Sequence, residues 1–182
     1  REAVFAAGAG DVIHFAPVLA SNIQLNSGLG IFTPLTIDGE PLPNSSPTVT
    51  VDFSFSASLA PGFVLTGGGA TIRGLDIRNV TGAAIEIDSD DNSVRNCRVS
   101  QTSVNSQGVG HAVLVLASNN TIENNTIENN SSAGIFIGQR IVPGSPRPAG
   151  NRVQGNILFA NAGSGVALVD ADATTISANI IA

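Results

Sequence analysis

The chain has 182 residues, enough for one domain with a substantial core, and a net charge of −6. Only 12% of the residues are charged and all eight cations are Arg, with no basic cluster, which argues against nucleic acid or a polyuronate-like polyanion as a partner. A lone cysteine, Cys97, permits no intrachain disulfide, and no apolar run is long enough to span a membrane.

The opening REAVFAAGA has the spacing of a short amphipathic helix, and residues 1–10 are expected to cap the first layer of the fold. The chain begins on Arg1 and carries no signal peptide, which sets the expectation of a processed form or a piece of a longer protein. Strand-like pieces follow at VIHF, NIQL, LTI, TVTV and FVL, parted by Gly, Pro and Ser. Alternation places His14 outward, and PLPNSSP (41–47) reads as an exposed loop.

From residue 66 to 182 the chain becomes periodic. Ile72, Ile77, Ile85 and Ile87 are separated by five, eight and two residues, and Ile122, Ile127, Ile135 and Ile137 repeat that spacing. Val153, Leu158, Val166 and Leu168 do so again, and Ile176 and Ile181 open a further copy. Val94, Val99, Val113 and Val115 follow the same pattern with six extra residues, and nine extra residues separate Ile137 from Val153. The underlying period is 22.

A period of this length suits a leucine-rich repeat or a parallel β-helix. The Leu-x-x-Leu-x-Leu frame of the first is absent, whereas short alternating strands with Gly and Asn corners fit the second. The expectation is an all-β solenoid whose windings stack about 4.8 Å apart, since one turn of apolar residues cannot bury itself alone. Asn92, Asn120 and Asn151 fall two residues before successive anchors, and Asn125, Asn156 and Asn179 fall three after. Amides stacked this way form ladders along the axis. The terminal Ile180-Ile181-Ala182 stops partway through a winding, so more chain or a second copy is expected to cover it.

Residues 66–182 resemble the right-handed parallel β-helix repeats of the pectate-lyase-like superfamily, the Asn-Asn-Thr-Ile phrase above all. The start is similar to the opening segment of bacterial and archaeal surface β-helix proteins. The matching pieces are Arg1-Glu2-Ala3, Gly10-Asp11-Val12-Ile13-His14-Phe15 and Leu35-Thr36-Ile37-Asp38-Gly39. The resemblance implies one right-handed β-helix domain over residues 1–182 and an exported or cell-surface location. It implies no particular activity, because the fold hosts lyases, hydrolases, adhesins and passive stalks.

An enzymatic reading takes Asp90-Asp91, Gly110-His111-Ala112 and Arg140-Ile141-Val142 as a polygalacturonase-like acid–base set. Register argues against it: Asp90 should stack on Ser118, seven residues from His111, nearly 20 Å along the strand path at about 3.3 Å per residue. A calcium reading uses the oxygens of Asp88, Asp90 and Asp91 without any established loop frame, so no cofactor is expected. The simpler reading makes Asp88-Ser89-Asp90-Asp91-Asn92 a corner.

The insertions at 100–110 and 138–149 are the stronger functional hint, and the second carries Arg140 and Arg147 as candidate binding residues. Arg140 is expected beneath Ser118 and Asp90. Phe136 is expected to point outward and Phe159 to fill the core. Sequons begin at Asn79, Asn119, Asn124 and Asn129, and several lie where the ladders are expected, which argues against glycosylation of those. The preferred function is a non-catalytic extracellular stalk, adhesin or filament subunit joining end to end by strand pairing. The alternative is a polysaccharide-active enzyme or carbohydrate-binding module.

Overall fold

The fold was read from a computed structural model that describes residues 1–15, 22–40, 49–56, 60–140, 142 and 144–182. The chain winds through three strands per coil. The first coil holds β1 (Val12–His14), β2 (Asn22–Gln24) and β3 (Leu29–Ile31); the second β4 (Thr36–Asp38), β5 (Val49–Asp52) and β6 (Phe63–Leu65). The third holds β7 (Thr71–Arg73), β8 (Leu75–Arg78) and β9 (Ile85–Ile87); the fourth β10 (Ser93–Arg95), β11 (Arg98–Ser100) and β12 (Val113–Val115). The fifth holds β13 (Thr121–Glu123), β14 (Thr126–Glu128) and β15 (Ile135–Gly138); the sixth β16 (Arg152–Gln154), β17 (Ile157–Phe159) and β18 (Val166–Val169). A seventh adds β19 (Thr175–Ser177) and β20 (Ile180–Ile181).

Like strands of successive coils pair in parallel into two seven-stranded sheets and one six-stranded sheet. The anchor residues therefore form one interior file: Ile13, Ile37, Ile72, Val94, Ile122, Val153 and Ile176 are direct cross-strand partners. Ile37 through Val153 are at most 3% exposed, whereas Ile176, in the last coil, is 43% exposed. Each fully buried Ile contributes roughly 1.5–3 kcal/mol.

The regular windings reach back to β1, so residue 66 marks no boundary in the stacking. Each expected strand of the first part is present. An additional one, Leu29–Ile31, escaped the pattern because its outward position is Gly30, over which the Phe32 ring lies so closely that an added Cβ would sit 2.5 Å from Phe32 Cζ. The expected loop at 41–47 lies outside the described residues.

The cap is one short helix, α1 (Glu2–Ala6), shorter than the periodicity suggested, and the chain is extended at Ala7. Val4 and Ala7 pack against the apolar core. A cavity of about 90 Å³ lies between Ala3 and Val4 on one side and Ile13, Ile23 and Leu29 on the other.

The corners follow one rule. A left-handed residue precedes each ladder position: Gly69, Asp91, Asn119, Gly150 and Ala173 at one corner, Gly74, Asn96, Asn124, Gly155 and Ala178 at the second. Asn79, Gln101, Asn129 and Ala160 occupy the third. Asn and Gly enter this region most readily, which is why Asn-Asn recurs.

The second Asn of each pair then turns inward as a ladder rung. The Asn92 amide donates to Asn120 Oδ1 at 2.8 Å, and the Asn120 amide to Asn151 Oδ1 at 2.8 Å. The amides of Asn125 and Asn156 donate to Oδ1 of Asn156 and Asn179 at 3.0 and 2.8 Å. A third ladder, missed in the sequence, joins Asn130 to Asn161 at 3.2 Å. Its signal was the 31-residue separation that Asn120–Asn151 and Asn125–Asn156 also show. The sequon acceptors Asn119, Asn124 and Asn129 are the exposed members of the pairs rather than the rungs, so the ladders do not occupy them.

Candidate functional site

The outer faces of the first two sheets carry ion pairs between adjacent coils. Asp38 and Arg73 are register partners and lie 2.5 Å apart, with the exposed His14 at 3.3 Å from the same carboxylate. Asp52 pairs with Arg78 at 3.2 Å, and Arg98 with Glu128 at 2.5 Å and Asp76 at 3.7 Å. Burial works against the Asp38 charge, but hydrogen bonds from Arg73 and the Glu40 amide outweigh it and hold its pKa below the ordinary value. Asp52 is also lowered: burial opposes its charge, and hydrogen bonds from Asn79, Ser54 and Arg78 prevail. These groups lace coils together.

The outer face of the third sheet is different. Alternation along Ile85-Glu86-Ile87-Asp88 turns both carboxyl groups outward while the isoleucines fill the core. Glu86 is a register partner of Leu114, which is in turn the partner of Phe136. Burial first, and then the neighbouring Asp88, pushes Glu86 up to about 7, with Arg140 opposing. Arg140 Nη2 stands 2.5 Å from Asp88 Oδ1. His111 stacks on Phe136 with ring centroids 4.8 Å apart and planes inclined by 21°. Its pKa is lowered mainly by burial, partly offset by a hydrogen bond to the Ala133 backbone.

The residues singled out in the sequence divide accordingly. Asp90 Oδ1 accepts the Ser118 amide at 2.8 Å, as the stacking required, and Asp91 is an exposed left-handed corner residue. Neither meets Arg140, which reaches Asp88 and not Asp90, so the Asp90–Asp91–His111–Arg140 set is not assembled. Asp88 is committed to a cation of the protein itself. Among the described residues no three His, Cys, Asp or Glu side chains come together in a group that could hold a metal ion.

Arg147 pairs with Asp170 at 2.7 Å and Asp172 at 3.5 Å. Phe136 faces outward as expected. Phe159 lies outside the core: it is half-buried beside Glu128, its register partner, because the interior position of β17 belongs to Leu158. Glu86 was missed. The signal for it was an i, i+2 carboxylate pair on one strand face, hidden because Asp88 also begins the corner.

Six windings of three strands and a seventh of two, locked by amide ladders, define a parallel β-helix. Residues 43–182 match the family described as "Right handed beta helix region", and the chain belongs to that family. No curated protein matches it. No helix among the described residues is long and apolar enough to cross a membrane.

Proposed function

We propose that this β-helix is a non-catalytic extracellular module, a rigid stalk or adhesin segment. The supporting observation is that the polar chemistry is spent on stacking: three Asn ladders and ion pairs between coils consume the groups a reaction would need. Of the carboxyl pair on the outer face of the third sheet, Asp88 is held by Arg140 at 2.5 Å and Glu86 is raised to about 7 by burial and the neighbouring Asp88. Incubation with a panel of neutral and acidic polysaccharides tests this reading. No product is expected, and turnover abolished by Glu86→Gln or Asp90→Ala would overturn it.

Association belongs to the same proposal. Ile176, Ile180 and Ile181 of the last coil are 43–63% exposed, and a coil from a second copy would continue their sheets. We place the joint at this end because Val4 and Ala7 pack against the core at the other, and a joint between two like ends closes as a symmetric pair. Sedimentation should then give a dimer that Ile181→Asp dissociates, and a monomer at high concentration would remove this part.

Saccharide binding without turnover is a second reading, favoured by the His111–Phe136 stack beside Glu86, Asp88 and Arg140. Glycan-array binding lost on Phe136→Ala would support it.

A further inference from the structure

Five sequons fall on described residues, and the fold treats them differently. They begin at Asn79, Asn119, Asn124, Asn129 and Asn130; a sixth, at Asn44, lies outside the described residues. Asn130 is a buried ladder rung whose Nδ2 donates to the Val99 and Glu128 carbonyls at 3.2 and 3.0 Å and to Asn161 Oδ1 at 2.8 Å. Asn79 is half-buried, and its Nδ2 donates to Asp52 Oδ1 at 2.9 Å. Asn129 is exposed, but its Nδ2 donates to Glu128 Oε2 at 3.3 Å.

Asn119 and Asn124 differ from all three. Both are exposed corner residues with left-handed backbone, φ 58° and 55°. Each turns its oxygen against the next coil: a side chain on Gly150 would collide with Asn119 Oδ1, and one on Gly155 with Asn124 Oδ1. Neither Nδ2 donates to a protein group among the described residues. The oxygen is packed and the nitrogen keeps both its protons uncommitted.

The geometry points to Asn119 and Asn124 as the N-glycan attachment sites of this chain. The substrate class is an oligosaccharide carried on a polyprenyl diphosphate and delivered by an oligosaccharyltransferase. Nδ2 bonds to the anomeric carbon, the bond from that carbon to the diphosphate oxygen breaks, and one Nδ2 proton passes to a base of the transferase. The product amide keeps its Oδ1 and one N–H, so the packing over Gly150 and Gly155 is retained. Adding the glycan before folding selects the same sites. At Asn130 it would have to enter the core and would break the rung, a buried group left without its partners. The two acceptors flank β13 within one coil, so their glycans cover the outer face of the first sheet there. The inference rests on the extracellular reading, because sequons are used on exported chains.

Fractionation of the producing cells followed by glycopeptide mass spectrometry tests it. Cleavage after Glu123 and Glu128 places Asn119, Asn124 and Asn129 on separate peptides. Occupancy is expected at Asn119 and Asn124, several-fold above that at Asn129, with none at Asn79 or Asn130. Thr121→Val keeps the β-branched shape without the sequon hydroxyl, and should clear Asn119 while Asn124 stays occupied. A protein found outside the cell and bare at Asn119 and Asn124 would overturn the attachment sites and leave the extracellular reading standing. Equal occupancy at Asn79 or Asn130 would overturn them as well. A protein confined to the cytoplasm would remove that reading, and the sites with it.

Discussion

Asn124 and Asn125 are adjacent, identical in type and opposite in role, so replacing each in turn isolates what a ladder rung is worth. Asn125 is 1% exposed. Its Oδ1 accepts the Cys97 amide at 2.9 Å, and its Nδ2 donates to the Val94 carbonyl at 3.0 Å and to Asn156 Oδ1 at 2.9 Å. Asn125→Ala strands the Cys97 amide in the interior and removes one partner from the Val94 carbonyl. An orphaned buried group costs about 1–3 kcal/mol, and the lost volume adds to it, so a total of about 2–4 kcal/mol is expected.

Asn124 is exposed and supplies chiefly its left-handed backbone, φ 55°. Asn124→Gly retains that conformation and should change stability by no more than about 0.5 kcal/mol. Urea unfolding followed by circular dichroism measures both, with the m-value checked for loss of cooperativity, which stacked repeats can show. Should the two variants lose equal stability, or Asn125→Ala lose less than about 0.5 kcal/mol, the ladder is not a source of cohesion and the reasoning fails.

Other outcomes follow from single contacts. Gly155 has φ 66°, and a Cβ there would lie 2.4 Å from Asn124 Oδ1, so Gly155→Ala should cost about 1–2 kcal/mol, read as a fall in Tm; an unchanged Tm would contradict the corner geometry. Glu86 is raised from 4.5 to about 7, so the stability it provides is full below pH 4.5 and is lost as pH rises through 7. Glu86→Gln should flatten that decline and exceed the native chain by about 1 kcal/mol at pH 8, after allowance for solvent screening; parallel urea midpoints at pH 5 and 8 would rule this out. Asp38 and Asp52 act with the opposite sign. Their lowered pKa values give stability present above the ordinary value of 3.8 and lost as pH falls further, so Asp38→Asn should blunt acid unfolding in a pH titration. Burial pushes the Cys97 thiol up to about 12, so a thiol reagent should label it only at the unfolding rate, and labelling within minutes under native conditions would show the core to be open.

The sequence by itself determined the solenoid. A 22-residue recurrence of apolar residues cannot be satisfied inside one winding, so stacking in register is its economical solution, and the five-eight-two spacing from Ile72 onward marks the apolar positions that the strands of each coil carry. Two ladders were legible for the same reason: residues at equal phase in a stacked repeat must meet. The strand at Leu29–Ile31 hid behind Gly30, and the third ladder was less visible because Val80 and Thr102 hold its corner position in the two preceding coils, leaving only Asn130 and Asn161 as amide rungs.

What only the tertiary structure decided is where side chains reach across coils. Arg140 passes over a whole winding to Asp88, and the burial that, with Asp88 beside it, raises Glu86 comes from the strands stacked on either side of β9. Periodicity specifies which residues stack. It carries no information about how far a long side chain on an inserted segment will travel to find its counter-charge, and that is why Asp90 was the expected partner and Asp88 the actual one.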